Sequence, residues 1–195
     1  MQNHVFQRRE SNMEKRILEV NKMRTSFKTS KGIVEAIRGI NLYVNEGEIL
    51  GIVGESGSGK SVTMKSVMGL LPAYGLIESE GIIYKDTDLS KLTEKELQKY
   101  RGKEMAMIFQ DPMTAMDPTM SIGNQIMEGM RTHYKTPKKE AYEKAIRLLE
   151  LVGITSPEER MKSYPHHLSG GMRQRIVIAI ALACDPDVLI CDEPT

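Results

Sequence analysis

The sequence predicts an α/β fold in which a mostly helical lobe is inserted into the core. Strand-like apolar segments occupy much of the first 110 residues and return near residue 188, with a helix expected after residue 60. The stretch between residues 111 and 184 instead carries the apolar spacing of helices. Because a core strand follows that stretch, the helices are predicted to interrupt one α/β core.

The composition is that of an ordinary globular protein. The chain has 195 residues, of which 40% are hydrophobic and 27% charged, and its formal net charge is +1. This near-neutral charge gives no reason to expect a nucleic-acid partner. The longest apolar run, at residues 176–184, is much shorter than the roughly 20 residues of a membrane-spanning helix. Cys184 and Cys191 have no metal-ligand spacing and are expected to be buried.

The first 15 residues are polar and are predicted to be a loose tail before a β-hairpin. "ILEVNKMRTSF" and "IVEAIRGINLYV" have the composition of two strands, with Lys31 and Gly32 supplying the turn. The nearly continuous apolar run "EILGIVG" predicts a buried strand. A helix is expected from Lys60 to about Leu70, because Pro72 disfavours its continuation.

The later elements are predicted from alternation and capping signals. "GIIYKDTDL" indicates an exposed strand and turn, and "MAMIFQ" and "DVLICD" indicate buried strands. Thr93 with Glu96 predicts a capping box, and Ser156 with Glu159 predicts another. "GMRQRIVIAIALAC" is apolar nearly all round and should be a buried helix. Pro137 should start a helix whose apolar face is formed by Ala141, Ala145, Leu148, Leu149 and Val152.

The segment "GESGSGKS" lies between a predicted strand and a predicted helix and matches the phosphate-loop pattern G-x-x-x-x-G-K-[ST]. Its glycines allow the backbone N–H groups to turn toward phosphate oxygens. Lys60 is expected to reach the β and γ phosphates, and Ser61 to ligate Mg²⁺. A glycine–serine linker is the alternative, and the flanking strand and helix disfavour it. The predicted nucleotide-binding residues are Gly54, Glu55, Ser56, Gly57, Ser58, Gly59, Lys60 and Ser61.

Two further features indicate a nucleotide site. Asp192 ends a predicted buried strand, where a carboxylate can hold Mg²⁺, and Glu193 could polarise an attacking water. Taken alone, this acid pair would favour a solvated turn, and the phosphate-loop segment reverses that interpretation. In "LSGGMRQR", Ser169 is a natural N-cap before Gly170 and Gly171, so this helix start is also suited to an anion.

The order of these segments resembles that of ATP-binding-cassette (ABC) ATPases. "GESGSGKS" is followed by Gln110 at the end of "MAMIFQ", then by "LSGGMRQR" and "VLICDEPT", and the resemblance spans about Ile17 to Thr195. The "LSGG" element distinguishes this family from other P-loop NTPases. "GLLP", "IFQDPM" and "YPHHLSGGMRQR" are similar to bacterial oligopeptide, dipeptide and nickel importer ATPases. "SVMGLLPAYGLI" favours the D-type over the F-type subunit of peptide importers.

The resemblance implies roles for the residues of these motifs. Gln110 would contact Mg²⁺ or the attacking water, Asp192 would be the Walker B aspartate and Glu193 the catalytic base. Phe27, at the end of the first strand, is the candidate for stacking on adenine, although it could be an ordinary strand aromatic. In a head-to-tail dimer, the residues expected to contact the γ-phosphate on the other subunit are Ser169, Gly170 and Gly171.

The resemblance also implies the domain organisation of a P-loop NTPase. A tail over 1–15 would precede a RecA-like core with an antiparallel β subdomain over 16–110, and a helical subdomain over 111–184 would end in the LSGG helix. The Walker B strand would lie in 185–195, and the permease would dock on 111–131. "DPMTAMDP" departs slightly from the family pattern at Met116 and Asp117. Family members continue beyond "DEPT", so this sequence is expected to be a C-terminally truncated cassette that alone is inactive and poorly soluble.

The function implied is an ATP-binding and hydrolysing subunit that powers uptake of peptides or nickel, with ATP and Mg²⁺ as cofactors. Its partners would be transmembrane permease subunits, a second ABC ATPase subunit and, indirectly, an external substrate-binding protein. It would lie on the cytoplasmic face of the cell membrane. Two alternatives stay open at this stage: a nucleotide-binding module without turnover, and a soluble ABC ATPase outside transport. The transported substrate and the choice between homodimer and heterodimer also stay open.

Overall fold

A computed structural model describes residues 5–6, 15–111 and 115–193. The chain divides into two compact units, Met1–Leu97 and Gln98–Thr195. The first is built mainly from antiparallel strands and the second mainly from helices. The mixed α/β character predicted from the sequence is therefore confirmed, whereas the predicted domain boundaries remain predictions.

The first unit is organised around one long hairpin. Its strands are β1 (Val5–Phe6), β2 (Arg16–Thr29), β3 (Gly32–Asn45), β4 (Gly51–Ile52), β5 (Gly75–Glu78), β6 (Gly81–Tyr84) and β7 (Thr87–Asp88). Its helices are α1 (Lys60–Val67) and α2 (Glu94–Leu97), with a 3₁₀ turn at Leu89–Lys91.

Strand β2 is the centre of the antiparallel sheet. It pairs with β3 on one edge and with β5 and β6 on the other. The predicted hairpin is confirmed, but Gly32, which was predicted to lie in the turn, is the first residue of β3 and pairs with Thr29. Strand β6 lies between β2 and β7, and Tyr84 is 2% exposed. The expectation of an exposed strand at "GIIYKDTDL" was therefore wrong, because the side chains of Ile82 and Tyr84 pack into the core from one face of β6.

The prediction of a buried strand at "EILGIVG" was also wrong. Regular strand structure covers only Gly51 and Ile52, which pair with the two residues of β1 inside the predicted tail. The side chains of Ile49 and Val53 are 96% and 63% exposed. A continuous apolar run is buried only when strands or helices cover it on both sides, and among the described residues β1 alone pairs with β4.

Helix α1 of the first unit begins where the sequence predicts and ends earlier, and α2 follows the predicted cap at Thr93. Helix α1 starts at Lys60 and ends at Val67, followed by Gly69 in a left-handed conformation with φ of +63°. Before α2, both the amide and the hydroxyl of Thr93 donate to Oε2 of Glu96, at 2.8 and 2.7 Å. The bond from the Thr93 amide to Glu96 is one half of the first predicted capping box, while the Thr93 hydroxyl binds the Glu96 carboxylate.

In the second unit, helices surround a parallel pair of strands. Strand β8 (Met105–Ile108) pairs in parallel with β9 (Val188–Cys191). The helices are α3 (Ile122–Tyr134), α4 (Lys138–Leu151), α5 (Pro157–Arg160) and α6 (Gly170–Leu182). Pro137 directly precedes α4, as predicted. The predicted apolar face of α4 is confirmed by the burial of Ala141, Ala145, Leu148 and Leu149, with Val152 partly buried.

Two expectations for the second unit were wrong. Ser156 precedes α5 with φ of +51° and its side chain caps no backbone group, so the second capping box does not form. Cys191 is exposed, whereas Cys184 is buried. The reason is the alternation of β9, in which Val188 and Ile190 face the core and Leu189 faces outward with Cys191.

None of the helices in the described ranges has the length and hydropathy required to cross a membrane.

Candidate functional site

The loop Gly54–Ser61 has the form of a phosphate-binding nest in the first unit. Gly57 and Gly59 both take left-handed conformations, with φ of +80° and +96°. The ammonium of Lys60 turns back into the loop and donates to the carbonyl oxygens of Gly54, at 2.8 Å, and Glu55, at 3.2 Å. Ser58 closes the turn by donating its amide to the carbonyl of Glu55 at 3.1 Å. The loop therefore combines an inward-turned lysine with two left-handed glycines, a backbone form in which amides can line an anion site.

One hydroxyl in this loop supports an anion as its occupant. Ser58 Oγ is buried and has no hydrogen-bond partner among the described residues. A buried hydroxyl without a partner costs free energy, and a phosphate oxygen would supply one. The residues present therefore fit the phosphates of a nucleotide.

Helix α1 fixes this loop against the hairpin. Thr25 of β2 and Ser66 of α1 are each 1% exposed, and their hydroxyl oxygens lie 2.8 Å apart. At the other end of the helix, a Cβ added to Gly59 would lie 2.6 Å from Ile37 Cδ1 and 3.3 Å from the carbonyl oxygen of Ala36. The loop and β3 therefore approach each other as closely as a glycine allows.

Phe27 lies in β2, opposite Val34 of β3 and Gly75 of β5. It is partly buried, and its ring centroid is 6.0 Å from that of Tyr74. The structure thus places Phe27 on the same hairpin that contacts the phosphate loop. Tyr74 was missed in the sequence, because it belongs to no motif and only the pairing of β2 with β5 brings it to Phe27.

In the second unit, the ends of β8 and β9 bring two predicted catalytic residues together. Gln110 donates its side-chain amide to Oε2 of Glu193 at 2.7 Å. Asp192 is 5% exposed, and its amide continues the strand ladder by donating to the carbonyl of Ile108 at 2.9 Å. Glu193 has φ of +50°, so the extended backbone of β9 does not continue through it.

The start of α6 is an accessible helix N-terminus. Ser169 Oγ accepts a hydrogen bond from the amide of Met172 at 3.3 Å, which confirms the predicted N-cap. Gly170 and Gly171 are exposed, and an added Cβ at either would meet no atom within 4 Å. Their amides are therefore open to an anion from outside the chain.

Gln125 organises the loop in the region where a permease is expected to dock. Its side chain is 7% exposed, accepts from the amide of Asp117 at 3.0 Å and donates to the carbonyls of Asp117 and Met120, both at 2.9 Å. The hydroxyl and amide of Thr119 bind the Asp117 carboxylate and lower its pKa. Residues 112–114 of the predicted docking segment lie outside the described residues.

Comparison with known proteins identifies the family. Residues 37–195 match the family described as ABC transporter. The chain belongs to this family. The ABC assignment accounts for the succession of a phosphate loop, the LSGG helix and the acidic end of β9, and it implies that the chain binds ATP.

Curated relatives within the ABC family are named as peptide transport proteins. The chain is 52% identical over 184 residues to the dipeptide transport ATP-binding protein DppD of Bacillus subtilis, covering 94% of this chain and 55% of that protein. It is 54% identical over 181 residues to the oligopeptide transport ATP-binding protein OppD of the same organism, covering 92% and 51%. The chain therefore spans about half the length of these relatives.

Solved ABC structures share the fold. The ATP-binding cassette MJ0796, solved as a dimer bound to ADP and Pi, has a TM-score of 0.76 and 26% identity, covering 91% of this chain and 74% of that one. Another dimeric structure of MJ0796 has a TM-score of 0.78 at the same identity and coverage. The P-loop NTPase fold predicted from the sequence is thereby confirmed.

Proposed function

We propose that the chain is the nucleotide-binding core of an ATP-hydrolysing subunit that powers peptide uptake through an ABC importer. The observation that carries this proposal is the loop Gly54–Ser61, with its two left-handed glycines, inward-turned lysine and buried unpartnered hydroxyl. The peptide substrate is supported by the relatives named for dipeptide and oligopeptide transport.

The phosphates of ATP are assigned to this loop. Lys60 exchanges its two carbonyl acceptors for β and γ phosphate oxygens, which form stronger, charge-assisted hydrogen bonds. The groups assigned to Mg²⁺ are the hydroxyl of Ser61, the carboxylate of Asp192 and the side-chain oxygen of Gln110. These are hard oxygen ligands of the kind that Mg²⁺ prefers. When bound, Mg²⁺ neutralises charge on the phosphates.

Glu193 is assigned as the general base that accepts a proton from the attacking water. The amide of Gln110 orients that carboxylate through the hydrogen bond at 2.7 Å. Ser169 and the open amides of Gly170 and Gly171 are assigned to the γ-phosphate bound by a second subunit. The dimeric state of MJ0796 supports this arrangement in trans.

Nucleotide binding is tested with Lys60→Ala in a fluorescent-nucleotide titration. We expect the variant to bind ATP about 10- to 100-fold more weakly, because a charge-assisted contact is lost. Lys65→Ala, a lysine on the same helix, is the matched control and should bind like the unmodified chain. Equal affinities for Lys60→Ala and the unmodified chain would remove the basis of the proposal.

The transport role is tested by identifying the proteins that co-purify with this protein from its own cells. We propose that it works at the cytoplasmic face of the membrane with permease subunits and a second ABC ATPase subunit, and indirectly with an external substrate-binding protein. Isolation of the tagged protein in mild detergent should recover integral permease proteins. Recovery of the protein only in the soluble fraction, without membrane partners, would favour an ABC ATPase outside transport.

A further inference from the structure

Phe27 and Tyr74 form an aromatic pair at the outer part of the β2–β3 hairpin. Their ring centroids are 6.0 Å apart and the ring planes are inclined by 56°. Phe27 is partly buried, whereas Tyr74 is 57% exposed. Two inclined rings with one of them open to solvent form a corner in which a planar group can stack on one ring and touch the other.

The strand register places Phe27 on the face of the sheet against which the phosphate loop packs. Gly59 is in close contact with Ile37 of β3, and Ile37 lies opposite Thr25 of β2. Phe27 follows Thr25 by two residues, so it is about 7 Å further along the strand and on the same face of the sheet. That face carries α1, because the Thr25 hydroxyl contacts Ser66. Phe27 therefore lies on the side of the sheet where α1 and the phosphate loop pack, and the ring centroid of Tyr74 is 6.0 Å from its own.

Backbone contacts hold Tyr74 in this place. The amide of Lys28 donates to the carbonyl of Tyr74 at 3.0 Å, directly after Phe27 and Gly75, the last pair of the β2–β5 ladder. The amide of Gly75 donates to the carbonyl of Pro72 at 2.8 Å and closes a tight turn around Tyr74. A Cβ at Gly75 would lie 3.0 Å from Leu71 Cβ, so a larger residue there would have to displace the neighbouring segment. The position of Tyr74 is thus fixed by backbone hydrogen bonds rather than by contacts of its own side chain.

We propose that Tyr74 is a base-binding residue, which forms with Phe27 an aromatic corner for the base of the nucleotide held by the phosphate loop. This inference rests on the proposed function, since it needs a nucleotide in that loop. It adds a second ring, from the segment after α1, to the strand aromatic Phe27. Every base has a π-face, so the corner contributes affinity for ATP and GTP alike.

The test compares ATP with inorganic tripolyphosphate, which carries the phosphates without the base. Tyr74→Ala should bind ATP about tenfold more weakly, as expected for a lost base–aromatic contact. Its affinity for tripolyphosphate should be unchanged, and Tyr74→Phe should bind both ligands normally. Ile33→Ala removes an exposed hydrophobic side chain of the β2–β3 hairpin, 67% exposed, and should leave both affinities unchanged.

A fluorescence measurement makes the test independent of the stability of the alanine variant. The chain has no tryptophan, so Tyr74→Trp introduces a single reporter at the corner. ATP and GTP should change its emission, whereas tripolyphosphate should not. A tryptophan placed at Ile33 should respond to none of the three ligands.

The outcomes separate the inference from the proposed function. If Lys60→Ala weakens ATP binding while Tyr74→Ala does not, Tyr74 is not a base-binding residue and the proposed function stands. If Tyr74→Ala weakens ATP and tripolyphosphate equally, its effect is on the loop, and the inference is also overturned. If Lys60→Ala binds ATP normally, the proposed function fails and the inference fails with it.

Discussion

At the scale of single residues, the phosphate loop depends on two glycines in different ways. Gly57 and Gly59 both have left-handed backbone conformations. A Cβ added to Gly57 would meet no atom within 4 Å, whereas one added to Gly59 would collide with Ile37 Cδ1 at 2.6 Å. The pair therefore separates the cost of backbone strain from the cost of a steric collision.

We expect Gly59→Ala to weaken ATP binding more than Gly57→Ala. Either substitution places a Cβ in a left-handed conformation, at a cost of about 1–2 kcal/mol. Only the Gly59 variant must also displace Ile37 or the loop itself. Nucleotide titration of the two variants, with circular dichroism to check folding, measures the difference. Equal losses for both variants would contradict the close contact between the loop and β3.

Asp88 is expected to make the first unit less stable as the pH falls into the acid range. Burial raises the pKa of its carboxyl, but hydrogen bonds from Ser90, Lys91 and the amide of Ile82 lower it by more. The net result is a pKa lowered from 3.8 to about 2. A carboxyl whose pKa is lower in the folded state stabilises the fold above its unfolded-state pKa of about 4. That contribution is lost as the pH falls through about 2.

Asp88→Asn should therefore reduce the free energy of unfolding by about 1–2 kcal/mol at pH 7, and progressively less below pH 4. Denaturant unfolding at a series of pH values measures this difference. The neighbouring exposed residue provides the control, since Asp86→Asn should change the free energy by less than about 0.5 kcal/mol. A loss for Asp88→Asn that stays constant down to pH 2 would show that its charge is not responsible.

At the scale of elements, one buried hydrogen bond joins α1 to the hairpin. Ser66 Oγ also donates to the carbonyl of Val62 at 2.7 Å, so it keeps a partner when the Thr25 hydroxyl is removed. Ser66→Ala instead leaves the Thr25 hydroxyl buried and removes the Ser66 oxygen to which it is hydrogen-bonded. The two single substitutions are therefore not equivalent.

We expect Thr25→Val to cost about 1 kcal/mol of stability and Ser66→Ala about 2 kcal/mol. The double variant should cost less than the sum, with a coupling of at least about 0.5 kcal/mol. Thr155→Val, at an exposed position outside the hairpin, is the control. Denaturant unfolding of the four variants tests this, and strict additivity would rule out the hydrogen bond as the link between α1 and β2.

The elements also show which parts of the structure the sequence could predict. Signals that act within a few residues were sufficient for the hairpin, the phosphate loop, the cap at Thr93 and the N-cap at Ser169. Predictions that depended on distant neighbours were wrong at "EILGIVG" and at β6, because periodicity does not tell which strands cover a segment. Tyr74 could not be predicted for the same reason, since its importance depends on β2 pairing with β5.

At the scale of the whole molecule, the small parallel sheet of the second unit has an open edge. Strand β9 pairs with β8, and no other strand in the described residues pairs with it. Its outward side chains include Leu189, which is 39% exposed. An unpaired strand edge beside an exposed apolar side chain is a site for association with another chain.

We therefore expect the 195-residue chain to self-associate with rising concentration, and Leu189→Lys to reduce this association. A lysine beside an open strand edge opposes pairing with a second strand. Leu151→Lys provides a matched control, because Leu151 is 73% exposed but ends helix α4 rather than lying on a strand edge. Light scattering over a concentration series should show a lower mean mass for Leu189→Lys and an unchanged mass for Leu151→Lys. Equal reductions would instead indicate general hydrophobic association, and a monomer at every concentration would show that the β9 edge is protected in solution.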